Sequence, residues 1–256
     1  MESKLVFDLG MNHGEDTAHY LSRDFRVIAV EANPTLVAEN REKFAEDIAV
    51  GRLVIESCAI SDHPGTIDFW VSDVNDDWSS FDREIGGRGG NRCHRIEVES
   101  VTLSQLFAKH GVPYYLKIDI ERADRSCLEC LRPEDLPAYL SIEAHEFDYL
   151  LMLWSVGYRQ FKVVDQMRHN SRFPEFSNES AMSRSLKLAA WYADRINNKY
   201  GKVRHIRGGS GPFGEETSGP WQSVEDVAYN WLHYHKGFSK RGSLQKRSWY
   251  DFHAKL

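Results

Sequence analysis

The sequence predicts an α/β fold in which helices flank a doubly wound parallel sheet. Two observations predict this class: short apolar runs alternate with helix-like segments along the first half of the chain, and turn residues separate them. The 256 residues, 41% hydrophobic and 27% charged, suffice to bury a core of ordinary size. The composition excludes a disordered chain and a collagen-like fibre. It also excludes a polytopic membrane protein, since no apolar run approaches the roughly 18 residues of a membrane span.

Six core strands are predicted from short apolar runs. They cover residues 5–7, 26–30, 53–55, 114–119, 138–143 and 158–164. Helices are expected from Glu15, and after Asn33 and Pro34, which offer an N-cap and a first-turn proline. This order of elements gives the alternating pattern of a parallel sheet.

Two further strands interrupt the alternation and predict a hairpin insertion. They cover residues 66–71 and 96–101, and the polar, glycine-rich segment 73–95 between them is expected to be a mobile loop. Beyond Asp165 the pattern changes again. The chain is therefore divided into a core at residues 1–165 and a C-terminal extension at residues 166–256. The extension is expected to act as a substrate lid or an oligomer contact, and its glycine-rich stretch 208–219 fits a lid or a plain linker.

Charge and cysteine content limit the partners and the compartment. The net charge of −6 argues against nucleic acid, because binding phosphates needs an excess of Lys and Arg. From Lys199 onward, however, ten Lys and Arg face five Asp and Glu. Such a tail fits an anionic substrate, a membrane surface, a second subunit in a homo-oligomer, or a solvated surface. The start lacks the apolar region of a signal peptide, and four cysteines make no disulfide framework, so a cytoplasmic location is expected.

The segment from Asp8 to Gly14 lies where the first strand turns into the first helix, the place where ligands bind in doubly wound sheets. Glycines let the backbone approach a ligand, and Asn12 tolerates left-handed dihedral angles. Glu31 ends the second strand, where an acidic side chain can accept hydrogen bonds from ribose hydroxyls. Together these features predict an adenosine-type cofactor on a Rossmann-like sheet.

The glycine spacing favours S-adenosylmethionine (SAM) over a dinucleotide. A dinucleotide fingerprint is G-x-G-x-x-G, whereas this loop has G-x-x-x-G. Glu15 and Asp16 at the start of the helix would repel a pyrophosphate but tolerate the sulfonium cation of SAM. An NAD-dependent oxidoreductase remains the alternative.

The motifs V-F-D-L-G-M-N-H-G-E, V-E-A-N-P, C-A-I-S-D-x-x-G and L-K-I-D-I-E, in this order, resemble the FkbM family of SAM-dependent methyltransferases. The resemblance extends from about Val6 to His145. It implies a class I methyltransferase fold and O-methylation, often of sugars and other small hydroxylated metabolites.

The same resemblance implies roles for seven residues around the cofactor. The methionine part of SAM would be lined by Asp8, Gly10, Asn12 and Gly14. Glu31 would hold the ribose, and Cys58 with Ala59 would flank the adenine.

Four residues at or just beyond the ends of two core strands are candidates for catalysis: Asp119, Glu121, Glu143 and His145. Lys117, Asp119 and Glu121 alternate onto one face, and Glu143 and His145 do the same at the end of the next strand. Methyl transfer to a hydroxyl needs a proton acceptor, and His145 is the most natural base. Asp119 and Glu143 would orient the acceptor hydroxyl, or bind Mg²⁺ together with it. In the alternative interpretation, Asp119 caps the next helix and Glu121 is solvated.

The sequence thus predicts a SAM-dependent O-methyltransferase acting on a hydroxyl of a small molecule or glycan. A sugar acceptor is favoured by the family resemblance alone. Besides the oxidoreductase, a non-catalytic SAM-binding or assembly protein is an alternative of a different class.

Overall fold

A computed structural model describes residues 4–74, 78–120, 123–166, 170–171, 209–232 and 249–256. Glu121 lies outside these residues. The chain divides into two compact units, Met1–Leu140 and Ser141–Leu256. The predicted boundary at residue 165, which separates a cofactor-binding core from an extension, stays a prediction about function.

The first unit alternates strands and helices as the sequence predicts. Its elements are β1 (Leu5–Leu9), α1 (Glu15–Ser22), β2 (Arg26–Glu31), α2 (Pro34–Lys43), α3 (Ala45–Ala49), β3 (Leu53–Ser57), β4 (Ala59–Ile60), β5 (Gly65–Ser72), α4 (Arg83–Gly86), β6 (Cys93–Val101), α5 (Leu103–His110), β7 (Tyr115–Ile118) and α6 (Asp124–Cys130). Helix α1 begins at Glu15 as predicted. The Asn33 side chain caps α2 by accepting a hydrogen bond from the Thr35 amide at 3.0 Å.

The main sheet of this unit has the order β3-β2-β1-β7, and all three neighbouring pairs are parallel. The chain runs outward from β1 to β3 and then returns to the other side of β1. This reversal between β1 and β7 is the switch point of a doubly wound sheet, so the predicted α/β class is confirmed. Strands β1 and β2 are almost wholly buried, which is why they appear in the sequence as continuous apolar runs.

The predicted hairpin insertion forms a separate three-stranded sheet of order β4-β6-β5. Strands β5 and β6 pair antiparallel along their lengths. The loop predicted from 73 to 95 is wrong in part: α4 forms inside it, and β6 begins at Cys93. Two contacts explain the helix. The Asp82 side chain accepts a hydrogen bond from the Glu84 amide at 2.8 Å, and Gly86 packs against Trp70.

The second unit contains an antiparallel strand that the sequence pattern does not predict. Its elements are β8 (Tyr139–Glu143), in which the division between the units falls, α7 (Asp148–Val156), β9 (Gln160–Asp165), β10 (Asn170–Ser171), α8 (Val224–Asn230) and β11 (Tyr250–Lys255). Strand β11 lies between β8 and β9 and pairs antiparallel with β9. Part of the predicted extension therefore belongs to the sheet of this unit.

The described part of the glycine-rich stretch, from residue 209 on, is packed within the second unit. Phe213 and Thr217 are buried. The buried Lys162 ammonium of β9 donates to the carbonyl oxygens of Thr217 at 3.0 Å and Gly214 at 3.4 Å. Burial lowers the pKa of Lys162 to about 8. The roles of this segment as a lid and of the extension as an oligomer contact stay predictions.

Within the described part of the chain, no helix is long and apolar enough to cross a membrane. All four cysteines are free, and Cys127 and Cys130 lie in α6. The cytoplasmic location expected from the sequence stays a prediction.

Candidate functional site

The turn after β1 takes up the left-handed backbone that its residue types predict. Gly10, Asn12 and Gly14 have φ values of 84°, 48° and 77°. The amides of Gly10 and Met11 both donate to the Val30 carbonyl, at 3.1 and 2.9 Å. The loop is thus fastened to the end of β2, beside the switch point of the sheet.

Glu31 at the end of β2 holds the same loop through its carboxylate. One oxygen accepts from the Asn12 amide and the other from the Asn33 amide, both at 2.8 Å. Burial raises the pKa of Glu31, and these backbone hydrogen bonds oppose that rise. Each carboxylate oxygen keeps acceptor capacity beyond these bonds, so the ribose contact implied for Glu31 is chemically feasible and stays a prediction.

Helix α2 supports the loop from the other side, a contact that the sequence does not reveal. The buried Asn40 side chain donates to the Asn12 carbonyl at 2.5 Å. Lys43 donates to the His13 carbonyl at 2.7 Å. In the sequence Asn40 looks like an ordinary polar residue of a helix, and its contact with the loop becomes evident only once α2 is placed beside the loop.

Asp8 lies fully buried beneath the loop. Its carboxylate accepts from the Thr17 hydroxyl at 2.6 Å and from the Lys117 ammonium at 3.0 Å. Burial raises the pKa of Asp8 despite the opposing attraction of Lys117. These bonds connect α1 and β7 to the end of β1 beneath the loop. The implied contact of Asp8 with the methionine part of SAM stays a prediction.

Lys117 connects several acidic groups, although the sequence alone suggests no role for it. Besides Asp8, its ammonium lies 3.3 Å from an Asp16 carboxylate oxygen and 3.8 Å from one of Asp119. It also donates to the Gly10 carbonyl at 2.9 Å. The sequence signal was a lysine inside the apolar strand β7. The predicted shared face of Lys117 and Asp119 agrees with their short separation.

Cys58 and Ala59, implied to flank the adenine, follow β3 and are both buried. Burial, followed by the nearby charge of Glu56, raises the pKa of the Cys58 thiol to about 12. The adenine contact itself stays a prediction.

The predicted catalytic residues lie in both units. In the first, the Asp119 side chain is 27% exposed, and Ala123 occupies the N-cap position of α6. In the second, His145 Nε2 lies 2.9 Å from a Glu143 carboxylate oxygen. A carboxylate that orients an imidazole in this way can support a general base.

A metal finds no support among the side chains of the described ranges. Within those ranges, no three His, Cys, Asp or Glu residues gather so that they could hold a metal ion. The Mg²⁺ considered alongside Asp119 and Glu143 is therefore given no part in the chemistry of this site.

Comparisons with known proteins point to one family. The methyltransferase FkbM domain model matches residues 8–170. Among solved structures, the methyltransferase FkbM from Methylobacillus flagellatus KT is 19% identical, with a TM-score of 0.43, over 60% of this chain and 36% of that one. A comparison with curated protein sequences finds no match.

Two other solved methyltransferases are similar over longer shares of the chain. Precorrin-6y C5,15-methyltransferase from Geobacter metallireducens GS-15 is 11% identical, with a TM-score of 0.34, over 64% of this chain and 68% of that one. Phosphoethanolamine N-methyltransferase 2 from Haemonchus contortus, solved with SAM, is 11% identical, with a TM-score of 0.36, over 99% of this chain and 48% of that one.

The FkbM model covers more than half of the chain, and it spans the loop after β1, the end of β2 and the end of β7. The predicted resemblance is thereby confirmed, and the oxidoreductase alternative loses its support. The chain belongs to the FkbM methyltransferase domain family, and the matched residues include most of the doubly wound parallel sheet of the first unit.

Proposed function

We propose that this chain transfers a methyl group from SAM to a hydroxyl of a small molecule or a glycan. The observation that supports SAM is the charge beneath the loop after β1. Three carboxylates, those of Asp8, Asp16 and Asp119, lie within 4 Å of one ammonium, that of Lys117. With each side chain at its formal charge, the three carboxylates and the one ammonium give the cluster a net charge of −2.

This excess favours a cationic ligand over an anionic one. A sulfonium is attracted to such a cluster, whereas a pyrophosphate is repelled by it. Asp16 contributes through the cluster, because its carboxylate turns inward to Lys117. From the sequence, the repulsion of a pyrophosphate is expected at the start of α1. In the structure the charge of Asp16 acts as part of the cluster instead, and it disfavours an anionic ligand in the same way.

The cofactor-binding roles proposed for this chain follow the loop geometry. The left-handed backbone at Gly10, Asn12 and Gly14 forms the tight turn after β1 that is proposed, together with Asp8, to line the methionine part of SAM. Glu31 would accept hydrogen bonds from the ribose, and Cys58 with Ala59 would contact the adenine. When bound, SAM supplies a methyl group made electrophilic by the sulfonium charge.

The chain's own side chains must then handle the proton of the acceptor hydroxyl. We assign the proton-acceptor role to His145, oriented by Glu143 at 2.9 Å. Asp119 is assigned the orientation of the acceptor hydroxyl, since it is the partly exposed carboxylate of its cluster. Glu121 is kept as a further candidate from the sequence.

Thermal unfolding with S-adenosylhomocysteine (SAH), and separately with NAD, tests the cofactor. A ligand that binds only the native state stabilises it by about 2.7 kcal/mol at a hundredfold excess over its Kd. We expect an upward shift with SAH, which shares the adenosine and amino-acid parts of SAM and carries no phosphate. We expect none with NAD, because the negative charge of the cluster repels its pyrophosphate. A shift with NAD alone would contradict the proposal.

Alanine variants at Asp119 and His145 test the catalytic roles. We expect His145→Ala to lower kcat by about 10²–10⁴-fold, the usual contribution of a general base, and Asp119→Ala to lower it as well. The measurement is SAH formation with a panel of hydroxylated acceptors, starting with sugars.

Asp62→Ala and His63→Ala provide matched controls, since both side chains are 72% exposed and belong to a turn of the hairpin insertion. Full methylation by the Asp119 and His145 variants would show that the catalytic assignment is wrong. SAH binding without methylation of any acceptor would favour the non-catalytic SAM-binding protein.

A further inference from the structure

Lys117 is a buried cation in the middle of an apolar strand. Its side chain is 4% exposed, and its neighbours Leu116 and Ile118 are fully buried. Burying a lysine in such a place destabilises the fold unless the ammonium is paired and hydrogen-bonded. Its partners therefore indicate what the residue does.

The ammonium has three protons, and three oxygen atoms lie within hydrogen-bond range of it. They belong to Asp8 at 3.0 Å, the Gly10 carbonyl at 2.9 Å and Asp16 at 3.3 Å. The Asp119 carboxylate, at 3.8 Å, is held by charge. Burial alone would lower the pKa of Lys117, but attraction by Asp8, Asp16 and Asp119 outweighs it, so the pKa is raised and the residue stays charged.

Neutralising Asp8 and Asp16 does not require the contact with Gly10. That carbonyl belongs to the left-handed turn of the loop, and Asp119 is the partly exposed end of the cluster. One ammonium thus contacts both the loop proposed to bind SAM and the carboxylate proposed to orient the acceptor.

We propose that Lys117 is a positioning residue for methyl transfer, holding the Gly10 carbonyl and the Asp119 carboxylate in one fixed arrangement. This inference rests on the proposed function, because the two groups it holds are those assigned to the cofactor and the acceptor. Lys117 itself acts through Gly10 and Asp119, and it is assigned no contact with the reacting atoms.

A charge-balanced double variant separates positioning from charge neutralisation. Lys117→Met alone leaves buried carboxylates without their cation and is expected to lower the unfolding midpoint. Adding Asp16→Asn removes one of those charges and is expected to recover much of the midpoint. If Lys117 positions the loop, SAH should still bind about tenfold more weakly to the double variant, equivalent to ~1.4 kcal/mol.

Hydrogen exchange gives a readout that needs no cofactor. The amides of Gly10 and Met11 donate to Val30, and that of Asn12 donates to Glu31. In the double variant without ligand, these amides are expected to exchange about tenfold faster, while those inside β2 keep their protection. This measurement still tests Lys117 if the wild-type chain fails to bind SAH, in which case the proposed function alone would fail.

Lys162→Met is the matched control, because Lys162 is also a buried lysine but donates its hydrogen bonds to oxygens of Gly214 and Thr217. It is expected to leave loop exchange and SAH affinity unchanged. If the double variant does not fold, Lys117→Arg keeps the charge and changes the geometry, and the same two losses are expected. Wild-type SAH affinity together with wild-type loop exchange in the folded variant would overturn the proposal.

Discussion

Replacing Gly10 with alanine is expected to remove at least about 4 kcal/mol from the stability of the first unit. Gly10 has a φ of +84°, which in an L-residue is unfavourable by roughly 1–2 kcal/mol. The added Cβ would also overlap the carbonyl oxygen of Asp119. That oxygen is backbone, so relief requires moving the end of β7 away from β1, which also disturbs the contacts of Lys117.

Gly51→Ala is the matched control for this prediction. Gly51 has a φ of +74°, but nothing lies within 4 Å of its added Cβ. It should show only the left-handed penalty of roughly 1–2 kcal/mol. Urea unfolding of both variants measures the difference, and SAH binding should be lost only in Gly10→Ala. Equal destabilisation of the two variants would show that the approach of Asp119 to Gly10 is not constraining.

The core strands of the first unit were predictable because both of their faces are buried. In β1 and β2 eight of the eleven residues are apolar, and a parallel sheet covered on both sides produces such runs. The start of α2 was also predictable, since Asn33 as an N-cap and Pro34 in the first turn mark the beginning of a helix by local chemistry alone. Local signals of this kind do not depend on where the rest of the chain lies.

The support of the candidate site was not predictable, because it depends on contacts between distant segments. Asp16 looks like an ordinary acid at a helix start, yet it is buried and faces Lys117 on β7. Asn40 likewise looks like a surface residue of α2 until the helix lies against the loop. Strand alternation could predict that Lys117 and Asp119 share a face, but not that Asp8 and Asp16 meet them there.

Strand β11 was missed for a related reason. Its sequence alternates, but the face with Asp251 and His253 is polar and nevertheless buried. Gln166 of the segment after β9 donates to Asp251 at 2.6 Å, which shows how that face is accommodated. Alternation of polar and apolar residues indicates a strand with one solvated face, whereas both faces of β11 are buried.

Deleting residues 249–256 is therefore expected to unfold the second unit. The deletion removes β11 from between β8 and β9 and leaves both with unpaired backbone groups. It also removes Phe252, which is fully buried with its ring centroid 5.0 Å from that of Trp231. Since a whole domain is stable by only about 5–15 kcal/mol, no cooperative transition should remain for this unit.

Two milder variants are expected to lose less stability than the deletion. Removing only Leu256, which lies beyond β11 and is 51% exposed, should leave stability unchanged within about 0.5 kcal/mol. Phe252→Ala keeps the strand but empties its core position, and about 3–5 kcal/mol should be lost. Circular dichroism and limited proteolysis measure all three. If the deleted chain kept a cooperative transition and protease resistance from Ser141 onward, β11 would not be integral to the sheet. In that case the position of His145, just after β8, would not depend on this strand. We expect instead that the deletion abolishes methyl transfer together with the fold of the unit.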